Sequence, residues 1–148
     1  MGFVPRNNNR RLIMEEKYVS FVNAKLLREK HFIGNCHKCY YQYKEDENKI
    51  VLEDIQGDSR EVDAPTLQMA MDWIRTEHKI HIAILPNRNE DKFYFELYRK
   101  DDFYGGWEPI TDDDTDLVWT GDDPYTIDYL TPEVAANCAI YFVLKKYV

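Results

Sequence analysis

The sequence lacks any uncharged apolar run of the roughly 18–20 residues that a membrane-spanning helix needs. Its first residues contain no apolar stretch of the signal-peptide kind, and Arg6 occupies the position where an N-myristoylation motif needs Ser or Thr. Only three cysteines are present. These absences predict a cytoplasmic protein with reduced thiols and no membrane partner.

Motifs that carry catalytic chemistry are also missing. There is no Gly-rich phosphate loop, and Gly105-Gly106 alone indicates a turn. No Ser, Cys or Lys lies in a recognisable nucleophile motif, and the carboxylates are too numerous for any one pair to point to glycosidase chemistry. The sequence therefore predicts no catalytic residue and no cofactor.

Charge is spread unevenly along the 148 residues. The formal net charge is −8, and residues 1–50, 51–100 and 101–148 carry net charges of +4, −3 and −9. The hydrophobic share of 44% is high enough for a packed domain and argues against disorder. Because binding to phosphate needs a basic face, we expect no direct contact with nucleic acid.

Three segments have the apolar spacing of amphipathic helices, at residues 20–34, 66–79 and 131–146. Each starts at a residue type that favours the N-cap: Ser20 in the first, Thr66 or Asp63 in the second, and Thr131, followed by Pro132, in the third. Trp73 flanks the apolar stripe of the second helix, so we expect it to be largely buried.

Two pairs of segments have the alternating side-chain pattern of β-strands, and each pair is spaced as the two strands of a β-hairpin. Residues 39–44 and 50–55 are joined by a polar turn, and residues 80–85 and 93–98 by a second one. Leu117–Thr120 forms a possible short strand. The pattern predicts an α+β fold, with one antiparallel sheet of four to five strands built from the two hairpins and about three helices on one face. Residues 1–13 are expected to be an extension that folding does not need, and residues 14–148 a single domain.

The spacing Cys36-x₂-Cys39 could supply two ligands of a zinc site, with His31 or His37 as a third. Structural zinc needs four ligands, however, and no second pair of suitable spacing exists. A redox dithiol would need a thioredoxin-like context, which is missing. We therefore expect ordinary structural cysteines and no metal, with Cys36, Cys39 and His31 as the weak candidates.

Two further spacings are suggestive but incomplete. His78 and His81 lie across a predicted helix end, so their rings need not converge. Asp112, Asp114 and Asp116 have the spacing of a calcium loop, but Leu117 replaces its required glycine. We expect the acidic segment 101–128 to be a solvated loop region.

Four segments carry a family resemblance: Ser20–Phe32, Cys39–Tyr41, Ala64–Gln68 and Trp73–Ile82. Their order and spacing resemble a group of small uncharacterised proteins from phages and prophages of gut anaerobes, over roughly residues 14–148. This chain differs in having His31 for the usual glycine, an acidic insertion near residues 108–128 and the extension before Met14. The resemblance implies a mobile-element origin and a cytoplasmic setting, and no site residues.

Three functions are compatible with these patterns. The leading hypothesis is a non-enzymatic accessory protein of phage or prophage origin that binds an unknown protein partner. It rests on the absence of catalytic constellations and on the family resemblance. A surplus of Tyr on an open sheet face could bind such a partner or could equally be covered by loops. The alternatives are an acidic decoy that imitates nucleic acid and a small enzyme whose site is assembled from scattered residues. The sequence does not identify the partner or the oligomeric state.

Overall fold

The computed structural model describes residues 16–43, 45–46, 48–55, 62–110 and 128–148. The predicted extension 1–13, the possible start at Met14 and the possible strand Leu117–Thr120 lie outside these residues. Within them, no helix has the length and apolar character needed to cross a membrane.

Helix α1 spans Phe21–Glu29 and begins where the sequence predicts. The Ser20 hydroxyl accepts a hydrogen bond from the backbone N–H of Asn23, which satisfies a donor that the first turn leaves free. The C-cap is Lys30, and the next residue, His31, has a left-handed φ of 65°, so the helix ends before Gly34. Gly34 has a different role, because a Cβ there would overlap the ring of Phe32.

The first sheet has the strand order β2-β1-β3 and is antiparallel throughout. Its strands are β1 (Lys38–Gln42), β2 (Ile50–Asp54) and β3 (Val62–Ala64). The predicted hairpin is present as β1 and β2, while β3 covers the other edge of β1. Tyr40 of β1 contacts Phe21 edge-on and donates its hydroxyl to the carbonyl of Val19 at 2.6 Å, which holds the start of α1 against this sheet.

The second sheet follows helix α2, which spans Leu67–His78 and has Thr66 as its N-cap. The helix ends at Lys79, again with a left-handed φ, of 59°. The strands are β4 (Ile80–Pro86), β5 (Phe93–Lys100) and β6 (Trp107–Pro109), in the antiparallel order β4-β5-β6. Asp63, the other predicted cap, lies in β3 instead.

Helix α3 spans Pro132–Lys146 and supplies much of the core. One side of the helix is buried, and it packs with the inward residues of β4 and β5. The buried side chains of the helix are Ala135, Ala136, Ala139, Ile140, Phe142, Val143 and Leu144. On the strands, Ile80, Ile82, Phe95 and Leu97 face this core, as the predicted alternation requires.

Among the described residues, the α+β class and the three helices agree with the sequence prediction, but the single sheet of four to five strands is corrected to two three-stranded sheets. Each hairpin is extended separately, because β3 pairs with the second edge of β1 and β6 pairs with the second edge of β5. No described strand of one hairpin pairs with a strand of the other. Both extra strands are only three residues long, so they carry almost no periodic signal.

Candidate functional site

Five aromatic or imidazole side chains of the second sheet and its β5–β6 turn, which we call the aromatic face, form two ring clusters: His81 with Tyr98 and Trp107, and Phe103 with Tyr104. His81 lies opposite Tyr98 in the β4–β5 register, on the sheet surface that faces away from α3. The His81 ring lies 6.3 Å from the Tyr98 ring and 6.0 Å from the Trp107 ring. Three neighbouring strands thus each contribute one ring.

The turn between β5 and β6 adds the two most exposed rings of this face. Phe103 is 85% exposed and Tyr104 is 83% exposed, and their rings contact each other edge-on at 4.8 Å. Trp107, at the start of β6, is 42% exposed. Large aromatic side chains left in water contribute little to folding, so their position invites a functional explanation.

Asp101 holds this turn in one conformation. Its carboxylate accepts hydrogen bonds from the backbone N–H groups of Phe103 (2.8 Å) and Tyr104 (3.3 Å). Its own backbone bonds to Gly105 and Gly106 close the loop, and Gly105 takes a φ of 78° that suits glycine. The bond from the Phe103 N–H is the main cause that lowers the pKa of Asp101 below its ordinary value, because it favours the ionised form. The turn is therefore preorganised at neutral pH.

A second feature is a cleft of about 870 Å³ between α1 and α3. Its apolar walls include Val22, Tyr141 and Phe142, of which Val22 and Tyr141 are exposed. Lys145 and Lys146 lie at the end formed by the last turn of α3. The volume is within the range of small-molecule sites. The polar groups that line the cleft therefore determine which ligand it could bind.

Those polar groups mainly hold the two helices together. The side chain of Asn23 donates to the Asn137 carbonyl at 2.8 Å and to the Asn137 Oδ1 at 3.1 Å. The same Oδ1 accepts from the backbone N–H of Ser20 at 2.8 Å. Asn23 is 1% exposed, and its Oδ1 finds no hydrogen-bond partner within the described residues. The pair fixes α1 beside α3, and sequence reasoning did not single it out.

Cys138 is the thiol in this cleft, and it contacts the Tyr129 hydroxyl. Burial raises the pKa of the Cys138 thiol, and burial together with Cys138 raises the pKa of Tyr129 to about 12. Both groups are consequently neutral at physiological pH. A neutral thiol is a poor nucleophile, so the pair does not point to nucleophilic chemistry in the cleft.

The weak metal candidates are not assembled into a site. Cys39 is fully buried in β1, Cys36 is partly exposed before the strand, and His31 is exposed at the end of α1. Across the described residues, no three His, Cys, Asp or Glu side chains lie close enough together to hold a metal ion. The absence of zinc from the purified protein stays a prediction.

The structure describes only one of the other two candidate metal-ligand spacings, that of His78 and His81. His78 contacts the Trp73 ring at 4.8 Å, while His81 belongs to the aromatic face, so the structure places these imidazoles in separate side-chain clusters. Asp112, Asp114 and Asp116 lie outside the described residues. Within the acidic segment 101–128, the structure describes residues 101–110, where Asp101 caps a turn, and Asp128, which accepts a hydrogen bond from the Asn87 side chain.

Comparisons with known proteins return no relative. No protein-family model, no curated protein and no solved structure matches this chain. The resemblance to phage and prophage proteins therefore stays a prediction.

Proposed function

We propose that this protein is a non-enzymatic accessory protein of mobile-element origin that acts by binding another protein through its aromatic face. The observation that carries the proposal is the turn that presents Phe103 and Tyr104 at 85% and 83% exposure beside Trp107. Tyr, Trp and Phe are enriched in the cores of protein interfaces, and Trp and Tyr are frequent among the residues that dominate binding energy.

The rigidity of the turn supports this function. Ordering a mobile loop on binding costs free energy, and a turn already held by Asp101 avoids that cost. The two rings also contact each other in the free protein, so they offer one joint apolar surface. This arrangement suits a protein surface better than a small ligand, because the rings project outward and enclose no volume.

Charge indicates what kind of surface would fit. Carboxylates are frequent in the segments that carry the aromatic face, at Glu96, Asp101, Asp102 and Glu108, with Lys100 as a neighbouring cation. Arg99 instead lies over the Tyr147 ring, on the other surface of the sheet. Glu96 accepts a hydrogen bond from the Tyr98 hydroxyl at 2.8 Å, so it is fixed at the rim. We expect a partner with arginine or lysine beside an apolar patch, since cations favour both aromatic rings and an acidic rim.

The test is affinity capture from lysate of the native cells, with and without phage infection, followed by titration of the purified partner. The double variant Phe103→Ser, Tyr104→Ser should weaken binding by about 100-fold or more, as expected for two hot-spot residues. The matched control is Ile33→Ser, since Ile33 is equally exposed at 85%.

The control should bind as the unaltered chain does. Both variants should also keep the melting temperature, because substitutions of exposed side chains change stability by about 0.5 kcal/mol or less. Equal affinity of the double variant and the control for every captured partner would refute the proposal.

The same experiment distinguishes binding through the aromatic face from the acidic-decoy alternative. A decoy would capture DNA-binding proteins and depend on the acidic segment, so the aromatic substitutions would leave it intact. Loss of capture on changing Asp112, Asp113, Asp114 and Asp116 to Asn, with no effect of the aromatic substitutions, would favour the decoy.

A further inference from the structure

The cleft of about 870 Å³ lies along two helices, α1 and α3, that are tied to each other near both of their ends. Near one end, the Asn23 side chain donates to the carbonyl and to the Oδ1 of Asn137. Near the other end, the Lys30 ammonium donates to the Val148 carbonyl at 2.8 Å. The two helices therefore run in the same direction. From Asn137 to Lys145, α3 follows the cleft for about 12 Å of helix axis.

The walls of this cleft are largely apolar and are accessible from solvent. Val22 of α1 is 53% exposed, and Tyr141 of α3 is 43% exposed. Cys138 lies one turn before Tyr141 on the same face of α3, and the buried Phe142 also lines the cleft. An elongated apolar molecule that covers these walls would remove their surface from water, which is favourable.

The charge of the cleft is positive, although the net charge of the chain is −8. Among the described residues that line the cleft, the only charged side chains are those of Lys145 and Lys146. The Lys145 ammonium has no hydrogen-bond or ion-pair partner within the described part of the chain. Tyr141 precedes Lys145 by four positions, so their side chains are neighbours on the helix surface. Together they offer an ammonium and a hydroxyl to one anionic group.

The position of these lysines limits how much negative charge the ligand carries. They lie in the last turn of α3, where the free carbonyl groups of a helix carry a partial negative charge. These carbonyl groups oppose a doubly charged phosphate more strongly than a carboxylate. A single negative charge therefore fits this end of the cleft best.

We propose that the cleft between α1 and α3 binds a free amphipathic carboxylate, a small molecule with one carboxylate and an elongated apolar chain. The carboxylate contacts Lys145 and Tyr141, and the apolar chain lies along Val22, Cys138 and Phe142. Small-molecule sites commonly combine apolar walls with a few polar groups that orient the ligand in this way. The site is separate from the aromatic face, so it does not depend on the proposed protein-binding function.

The first experiment titrates the full chain with octanoate and with octanol, its neutral counterpart, by isothermal calorimetry. Octanoate should bind about tenfold more tightly, and high salt should reduce this preference. The double variant Lys145→Gln, Lys146→Gln should weaken octanoate by about tenfold, because exposed ion pairs are lost, and leave octanol within about threefold. Lys49→Gln is the matched control, since Lys49 is exposed and lies in the first sheet's hairpin, and it should change neither affinity. Octanoate binding no tighter than octanol would overturn the proposal.

A second variant tests the lysine end without removing a lysine. Tyr141→Glu places a carboxylate four residues before Lys145, an arrangement that stabilises helices, so the fold should be kept. This carboxylate should compete with the ligand and weaken octanoate by about tenfold relative to Tyr141→Gln. Equal affinities of the two variants, at equal melting temperatures, would contradict the role of Lys145.

Thiol labelling locates the ligand within the unaltered chain. Octanoate should slow the alkylation of Cys138 several-fold and leave Cys36 unchanged, because only Cys138 lines the cleft. An unchanged labelling rate of Cys138 would overturn the proposal. So would binding to phosphatidylglycerol vesicles without binding of octanoate, which would indicate a membrane surface. Octanoate binding only after Asp112, Asp113, Asp114 and Asp116 are changed to Asn would make the chain's own acidic segment the occupant and would also overturn it.

Discussion

Each of the two three-stranded sheets follows a helix that is terminated by a left-handed residue, but the two sheets expose different surfaces. Helix α1 leads through the left-handed His31 toward β1, and helix α2 leads through the left-handed Lys79 into β4. The first sheet has protected edges, with acidic residues at the end of β2 and a very short β3. The second sheet, with its β5–β6 turn, carries the exposed rings of Phe103, Tyr104 and Trp107. Similar local architecture thus coexists with different surfaces, and the proposed protein-binding surface belongs to the second sheet.

The largest expected effect tests where the core lies. Leu97 of β5 is 1% exposed, so Leu97→Ala should lower the free energy of unfolding by about 3 kcal/mol. Val51 of β2 is only half-buried, and Val51→Ala should cost about 1 kcal/mol. Urea unfolding monitored by circular dichroism measures both. Equal losses would mean that the first sheet contributes to the core as much as the second does.

The next largest change in unfolding free energy tests how helix α2 is joined to the segment that precedes the first sheet. Trp73 of α2 is half-buried and packs edge-on against Phe32, which precedes β1, with ring centroids 5.4 Å apart. Trp73→Ala should cost about 2–3 kcal/mol, less than a fully buried aromatic would. In a double-mutant cycle with Phe32→Ala, the coupling energy should be about 1 kcal/mol. A coupling energy near zero would show that this ring pair does not link α2 to the segment before β1.

A smaller effect concerns the two left-handed residues. A side chain at positive φ is strained, so His31→Gly and Lys79→Gly should each raise the free energy of unfolding by about 0.5–1 kcal/mol. Glu29→Gly, in the last position of α1, is the control and should lower it by a similar amount. Thermal unfolding measures all three. Destabilisation by His31→Gly would contradict the left-handed conformation there.

The last prediction concerns Tyr129, whose titration changes the free energy of unfolding only at alkaline pH. An unfolded tyrosine ionises near its ordinary pKa of about 10, whereas the pKa of Tyr129 is raised to about 12 by burial and Cys138. The stability from this neutral hydroxyl is complete below pH 10 and is lost as the pH rises toward 12. Tyr129→Phe should make the decline of unfolding free energy over that range shallower. An unchanged slope would show that Tyr129 titrates normally.

Local signals explain why the helices were predicted well. Ser20, Thr66 and Thr131 each accept a hydrogen bond from the backbone N–H three residues later, which is chemistry confined to four consecutive residues. Strands β3 and β6 gave no such signal, because three residues show no period and their partners are distant in sequence. The single-sheet prediction failed for this reason.

The aromatic face could be predicted only in part. Alternation along β5 correctly separated the buried Phe95 and Leu97 from Tyr98 on the other surface. Phe103 and Tyr104 were not singled out, because composition alone makes them resemble core residues. Their exposure depends on Asp101, whose bonds to the turn become apparent only in three dimensions.

The most direct test of the protein-binding proposal is amide hydrogen exchange of the full chain with and without its purified partner. The account predicts slower exchange on binding in Tyr98–Lys100 and across the turn at residues 101–107, with exchange in β1 and β2 of the first sheet unchanged. Protection of β1 and β2 with no change from Tyr98 to Trp107 would contradict it.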